Sequence, residues 1–329
     1  MTLLWVGAYT ENMGGFARGI SAVRVTDKGL QFAGIGAVAS SPSFLIHASV
    51  SGVIYAVDEA NGRVEAFHRK NKSTTLSPMG GQPTSGTLPC HLAATPEWLY
   101  AANYGTGQVD VYPLDSQGRI GELRASVTSS GKGPKPEQDG PHAHSTLAFG
   151  DTAITADLGT DRVSVYRWTE GKLGLESSVE LPPGTGPRDL AVSPTAGKIY
   201  LVGELGGSVF TLGGGRNLQI VNSGDSGAAV GDHAAGLVVD STGRFLYTAL
   251  RGSNRIVAID AATLKPIADL PSGGDVPRGL CLVGNLLLVA NQSSGTIAAF
   301  QLDPQSGVPM MVGTPLFIDS PTCLLPDFS

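Results

Sequence analysis

The chain has 329 residues and sets 22 Lys and Arg against 28 Asp and Glu, a net charge of −6 without like-charge runs, which excludes nucleic acid or an anionic membrane as its main partner. With 45 Gly and only 6% aromatic residues it is turn-rich and small-residue-rich. No apolar stretch approaches membrane-spanning length.

Taken in chain order, residues 3–10, 19–25 and 31–38 are predicted strands that read as the second, third and fourth members of a four-strand unit lacking its first. A start signal then recurs about every 44 to 52 residues, the spacing of propeller repeats. Its copies are Pro42-Ser43-Phe44-Leu45, Pro89-Cys90-His91-Leu92, Pro141-His142-Ala143-His144, Pro187-Arg188-Asp189-Leu190, His233-Ala234-Ala235-Gly236-Leu237, Pro277-Arg278-Gly279-Leu280 and Pro321-Thr322-Cys323-Leu324. A second apolar run follows each start but the last and closes on small and polar residues, as in Val57-Asp58-Glu59, Ala102-Asn103-Tyr104, Ala156-Asp157-Leu158, Gly203-Glu204-Leu205, Ala249-Leu250-Arg251 and Ala290-Asn291-Gln292. Strictly alternating runs such as Gln108-Val109-Asp110-Val111-Tyr112 come third. Period-two alternation broken by Gly, Asn, Asp and Pro marks half-buried antiparallel strands, and no helical period competes with it.

The expected fold is therefore all-β: a seven-bladed β-propeller of four-stranded antiparallel blades, one domain over residues 1–329. The last start, residues 321–325, has no strands after it. N- and C-terminal strands are thus expected to complete one blade and leave no open edge. Met1-Thr2-Leu3 enters a strand without a leader pattern, so a cytoplasmic location is expected. The three cysteines, Cys90, Cys281 and Cys323, are an odd set on predicted innermost strands, read as packed small thiols.

Within a blade the first strand leaves one mouth of the ring and the second returns to it, so residues about 13 to 18 apart become neighbours. This pairs Arg188 with Glu204, His142 and His144 with Asp157, His91 with Asn103, His233 with Arg251, and Arg278 with Asn291, all at one mouth. His144 stands where five units carry Leu, and a histidine there needs a partner, for which Asp157 is the candidate. Arg188, Arg251 and Arg278 near one axis call for anions, and a ligand carboxylate or phosphate would supply them bidentately. Ion pairing between blades is the structural alternative, with Glu204 either neutralising Arg188 or acting as a base. Asn103 and Asn291 at strand ends also fit turn chemistry. The string Gly224-Asp225-Ser226-Gly227 falls in a Gly-rich inter-strand loop without the fold that makes it a protease nucleophile. No Walker loop, zinc spacing or dinucleotide fingerprint is present, and no cofactor or metal is expected.

Several of these segments carry a resemblance: Val6-Gly7-Ala8-Tyr9-Thr10, Ala101-Ala102-Asn103-Tyr104-Gly105, Gly140-Pro141-His142-Ala143-His144-Ser145, Ala156-Asp157-Leu158-Gly159, Gly186-Pro187-Arg188, Glu204-Leu205 and Arg251-Gly252. Over essentially its whole length the chain resembles the seven-bladed propeller lactonase family, which groups propeller-type 6-phosphogluconolactonase with fungal 3-carboxy-cis,cis-muconate lactonising enzyme. The resemblance implies that His144, Arg188, Glu204 and Arg251 are the active-site residues. The chain departs from the family in having Asp189 after Pro-Arg, where His is usual, and Leu250 before Arg-Gly, where Asn is usual.

The residues and the resemblance together predict hydrolysis of a small anionic sugar lactone, 6-phosphogluconolactone first. Glu204 or His144 would activate water, and arginines would hold the substrate anion and the charge developing on the carbonyl. His142, His91, Asn103, Asp157, His233, Arg278 and Asn291 are the expected substrate-binding residues. Cyclisation of an unsaturated diacid of the carboxymuconate type would use the same arginines. A metal-assisted lactonase would draw oxygen ligands from Asn103, Asp157, Glu204 and Asn291, which the crowd of cationic groups disfavours. A protein-interaction ring would want an apolar mouth, and this one is ionisable.

Overall fold

A four-stranded sheet with two apolar faces needs a neighbour on each side, and seven such sheets in a ring supply one another. The computed structural model describes residues 2–195 and 197–327; Met1, Ala196, Phe328 and Ser329, which the expected 1–329 span includes, lie outside the described residues. Seven antiparallel sheets are present, and two single-turn 3-10 segments, Glu11–Met13 and Pro136–Gln138, are the sole helical elements among the described residues. No helix among them is long and apolar enough to cross a membrane.

Blade one is built from Pro321–Asp327, Thr2–Ala8, Gly19–Thr26 and Gly29–Val38, in that order outward. The innermost strands of blades two to seven are Leu45–His47, Pro89–Ala94, Ala143–Phe149, Pro187–Val192, His233–Val239 and Pro277–Val283. Blade seven carries a fifth short strand, Leu316–Phe317, beside Pro309–Met311 on the same third strand. Seven apolar clusters fill the seven gaps between blades; Trp5, Ile20 and Ala22 of blade one, for example, meet Ile54, Ala56 and Phe67 of blade two.

The ring closes as the alternation predicts. Leu3 pairs with Asp327, Trp5 with Leu325 and Gly7 with Cys323, so the C-terminal segment forms the inner strand of the N-terminal blade. The seam is also tied by side chains. Trp5 Nε1 donates to Asp327 Oδ2 at 2.9 Å, and Arg69 of blade two reaches the same oxygen at 2.6 Å.

One irregularity repeats around the ring. Near the start of its innermost strand a blade inserts one extra residue into the ladder, a β-bulge. Pro89 faces Asn103 and His91 faces Ala102, leaving Cys90 unpaired. His144, Arg188, Arg278 and Thr322 are skipped in the same way in blades four, five, seven and one, and blade six opposes Ala235 and Gly236 to Ala249.

This register corrects the repeat alignment in blade four. Thr146 faces Thr155 there as Leu92 faces Ala101 and Leu190 faces Leu201, so Thr146, not His144, stands at the leucine position. Thr146 is fully buried and its hydroxyl meets that of Thr155 at 3.1 Å. Pro141 lies two residues before the strand that it was expected to open, because the pleat fixes which residues face the core and the proline only marks an entry.

Candidate functional site

A bulged residue drops out of the ladder, so its side chain is free to turn toward the ring axis. The bulged Cys90, His144, Arg188, Arg278 and Thr322, with Ser43 just before the inner strand of blade two, all line a single cavity of about 240 Å³ on that axis, walled by the innermost strands of all seven blades. Below them the wall is apolar, with Leu45, Leu190, Leu237, Leu280 and Leu324. Where each second strand returns to the mouth, one residue beyond the partner of the bulge, the chain places Tyr9, Tyr104, Leu158, Glu204, Arg251 and Gln292, and Glu59 in blade two. The mouth is thus two rings of residues, one from the bulges and one from the returns.

Glu204 is the centre of the charged cluster. Arg188 Nε and Arg251 Nη2 each lie 2.8 Å from Glu204 Oε2, and His233 Nδ1 lies 3.4 Å from Oε1. The Arg188 Nε–H is not aimed along its contact, so that pair is held by charge more than by a hydrogen bond. Arg188 is 5% exposed. Burial by itself would raise the Glu204 carboxyl, but the contact with His233 and the charges of Arg251 and Arg188 outweigh it and hold it well below the usual carboxylate range. His233, half in solvent, is raised by its bond to Glu204. Burial pushes the Arg251 guanidinium down to about 10, which leaves it charged at neutral pH.

His144 sits beside this cluster, 9% exposed, with the Tyr104 ring edge-on at 5.7 Å. Its Nδ1 has no hydrogen-bond partner among the described residues. Burial and the nearby Arg188 hold it well below its ordinary value, so it is a neutral imidazole. Asp157, the expected partner, does not reach it. That carboxylate accepts the backbone N–H groups of His142, Gly159 and Thr160 and shapes the turn after its strand. His142 is held outside the cavity, its ring stacked on Tyr104 at 4.9 Å and its nitrogens against the Tyr104 carbonyl and Asp139.

Asn103 and Asn291 are fully buried and also belong to turns. Asn103 Nδ2 donates to the Gln108 carbonyl and to Asp110, and Asn291 Nδ2 to the Ser272 carbonyl. Asn103, Asp157, Glu204 and Asn291 are therefore spread over four blades rather than gathered in a cup, and among the described residues no three His, Cys, Asp or Glu converge as metal ligands. His91 does line the cavity. Its Nδ1 accepts the Thr146 N–H, which leaves Nε2 to donate toward Ser145 Oγ at 3.3 Å. Burial and Arg188 push it down to about 3.

Sequence reasoning missed part of the mouth. Tyr9 Oη donates to Glu59 Oε1 at 3.2 Å, Ser43 Oγ donates to Glu59 Oε2, and the Arg278 guanidinium lies over the Tyr9 ring with Cζ 5.2 Å from its centroid. Glu59 holds the same place in its blade as Glu204 in blade five, so counting from the leucine of each unit would have found it. Asp189 was noticed only as a departure. It spans three blades, accepting the Leu190 and Leu237 N–H groups and the Ser145 hydroxyl. Leu250 is fully buried in the gap between blades five and six. Cys90, Cys281 and Cys323 are free and buried, with their thiols pushed up by burial. Gly224 and Asp225 end an outer strand rather than lying in a loop, and the Ser226 hydroxyl donates to the Gly207 carbonyl at 2.8 Å.

Comparison with known proteins follows the same outline. The family described as "Lactonase, 7-bladed beta-propeller" matches residues 3–326. A Bacillus subtilis protein named 6-phosphogluconolactonase is 25% identical over 97% of both chains. The solved structure of a Pseudomonas aeruginosa protein named periplasmic gluconolactonase superposes with a TM-score of 0.88 at 28% identity, covering 99% of this chain and 98% of that one. A solved Lactobacillus plantarum protein gives 0.89 at 26% identity over 99% of both.

Proposed function

The chain belongs to the seven-bladed β-propeller lactonase family, and from that premise we propose that it hydrolyses a small anionic sugar lactone, 6-phosphogluconolactone being the first candidate. The observation that carries this reading is the neutral, unpartnered His144 at the cavity wall beside a carboxylate clamped between two arginines. Opening a lactone requires water to attack the carbonyl carbon, the ring C–O bond to break, and the carbonyl oxygen to carry negative charge in between. His144, unprotonated at neutral pH, takes the proton from water and returns it to the departing ring oxygen. Arg188, next to it in the bulge ring, faces the developing oxyanion.

In the free protein the Glu204 carboxylate, unlike His144 Nδ1, is taken up by the two guanidiniums and His233 rather than free to receive a proton. Its role is to hold Arg188 and Arg251 in place and to release part of their charge when an anionic substrate arrives. The relatives' names support the substrate class and divide on the phosphate, as a 6-phosphogluconolactonase and a gluconolactonase. The cavity, at the small end of ligand pockets, supports a compact substrate over a polymer.

A panel of phosphorylated, carboxylated and plain sugar lactones, with carboxymuconate, followed by pH-stat and ultraviolet absorbance, tests the reading. Hydrolysis of a sugar lactone that survives exhaustive EDTA treatment is the expected result. Reaction of the muconate alone would replace hydrolysis with cyclisation, and loss with EDTA restored by Ca²⁺ would bring in a metal.

A further inference from the structure

The mouth divides into two groups of blades. Blades three to six carry His91, His144 and the Glu204 cluster; blades seven, one and two carry Arg278, Tyr9, Ser43 and Glu59, which the hydrolytic scheme does not use. Arg278 is the bulged residue of blade seven and lines the cavity. Arg188 and Arg251 both lie against a carboxylate, whereas among the described residues the Arg278 guanidinium has no carboxylate within ion-pairing distance and makes no hydrogen bond. Its close partner is an aromatic face, a contact that orients a cation without neutralising it.

Tyr9 is in turn fixed by Glu59, which accepts its hydroxyl. Both Glu59 oxygens are engaged by hydroxyls, from Tyr9 and Ser43, and the residue is 6% exposed, so it holds the ring rather than serving as the counter-ion. A guanidinium stays charged at any working pH, and its planar fork takes an oxyanion bidentately. Half-buried beside a cavity, such a charge is completed by an anion that the cavity admits.

We infer that Arg278 anchors the substrate's own anionic group, a phosphate or carboxylate remote from the lactone ring, and that Tyr9 and Glu59 are positioning residues that hold its guanidinium to the cavity. The ring-opening chemistry then takes place two to three blades away, at His144 and Arg188. This inference rests on the lactonase reading for its substrate class, so turnover and binding are measured separately.

The experiment compares wild type, Arg278→Gln, Tyr9→Leu and Tyr9→Phe for kcat and KM on 6-phosphogluconolactone, a carboxylated sugar lactone and uncharged glucono-δ-lactone, with calorimetric Kd for 6-phosphogluconate. Arg278→Gln is expected to raise KM for charged lactones about 10- to 100-fold with kcat far less affected, and to lower the charged-to-uncharged ratio of kcat/KM by a similar factor. The oxyanion with the larger loss is the native one. Tyr9→Leu is expected to shift the same ratio about tenfold and Tyr9→Phe, which keeps the ring, by less. An unchanged ratio in Arg278→Gln, with wild type hydrolysing lactones, overturns the anchor and leaves the lactonase standing. Loss of 6-phosphogluconate binding in the variant, with wild type hydrolysing no lactone, supports the anchor and overturns the reaction. Absence of both binding and turnover in wild type overturns both. Should Arg278→Gln fail to fold by circular dichroism, an unchanged ratio in folded Tyr9→Leu overturns the proposal.

Discussion

Glu204 holds the charged cluster at the mouth together. It is the counter-ion of two guanidiniums, one of them 5% exposed, and Gln in its place would leave those charges uncompensated, a loss of about 3–5 kcal/mol for a buried pair broken on one side. The sign of the pH dependence follows from the direction of its shift. Its native pKa lies below the ordinary 4.5, so its stabilisation is complete above that value and is lost as pH falls through the native one. Urea melts of wild type and Glu204→Gln should therefore differ widely at about pH 7 and converge only as pH falls through the lowered native pKa, below which wild type also carries a neutral side chain. A gap that stays constant across that range would mean that the carboxylate charge does not hold the cluster. Turnover should fall steeply in the same variant, since Arg188 loses its tether.

At the scale of the element, the bulge decides which residues reach the axis. The repeat made the pairs Arg188 with Glu204 and His233 with Arg251 legible, because a strand pair brings residues to one mouth whatever the detail of its ladder. It did not make His144 legible as a bulged residue. Pro141 mimics the start signal, and a two-residue offset in period-two structure keeps the same face, so nothing in the hydrophobic pattern reports the slip. Glu59 and Tyr9 escaped notice for a related reason: the motif was read from its polar residue instead of from the position that the leucine fixes. Turns that support the mouth are equally exacting. A Cβ on Gly159 would sit 1.8 Å from the Gly140 carbonyl oxygen and 2.7 Å from the His142 ring, whereas one on Gly140 would meet nothing. Gly159→Ala is expected to lower the melting temperature by several degrees, the equivalent of about 1–3 kcal/mol, while Gly140→Ala leaves it nearly unchanged. Equal melting temperatures for the two variants would show that the segment before blade four yields freely.

For the whole molecule, closure was the most legible feature, since a unit without its first strand and a lone first strand at the other end have one joint solution. Removing residues from Pro321 onward strips the inner strand of blade one. It also takes away Cys323 and Leu324, which pack in the two gaps beside that blade, and the Asp327 tie to Trp5 and Arg69. The truncated chain is expected to aggregate or melt far below the intact one, as judged by light scattering and calorimetry. A soluble truncation with the wild-type melting temperature would refute the ring as the unit of stability.

The seam also bears on when the protein becomes competent. The Arg278 anchor depends on Tyr9, whose backbone N–H bonds to the Ser320 carbonyl at the entrance to the closing strand. On the ribosome, Tyr9 emerges before blades two to seven and waits for all of them before the segment that seats it is made. Blades one and two can already pack through Trp5, Ile20, Ile54 and Phe67, but a chain stalled short of residue 320 would hold His144, Arg188 and Glu204 yet lack the seat of Tyr9. A circular permutant opened between two other blades would draw the same site in a different order of synthesis, so the time at which ligand binding appears, relative to chain length, would move with the cut.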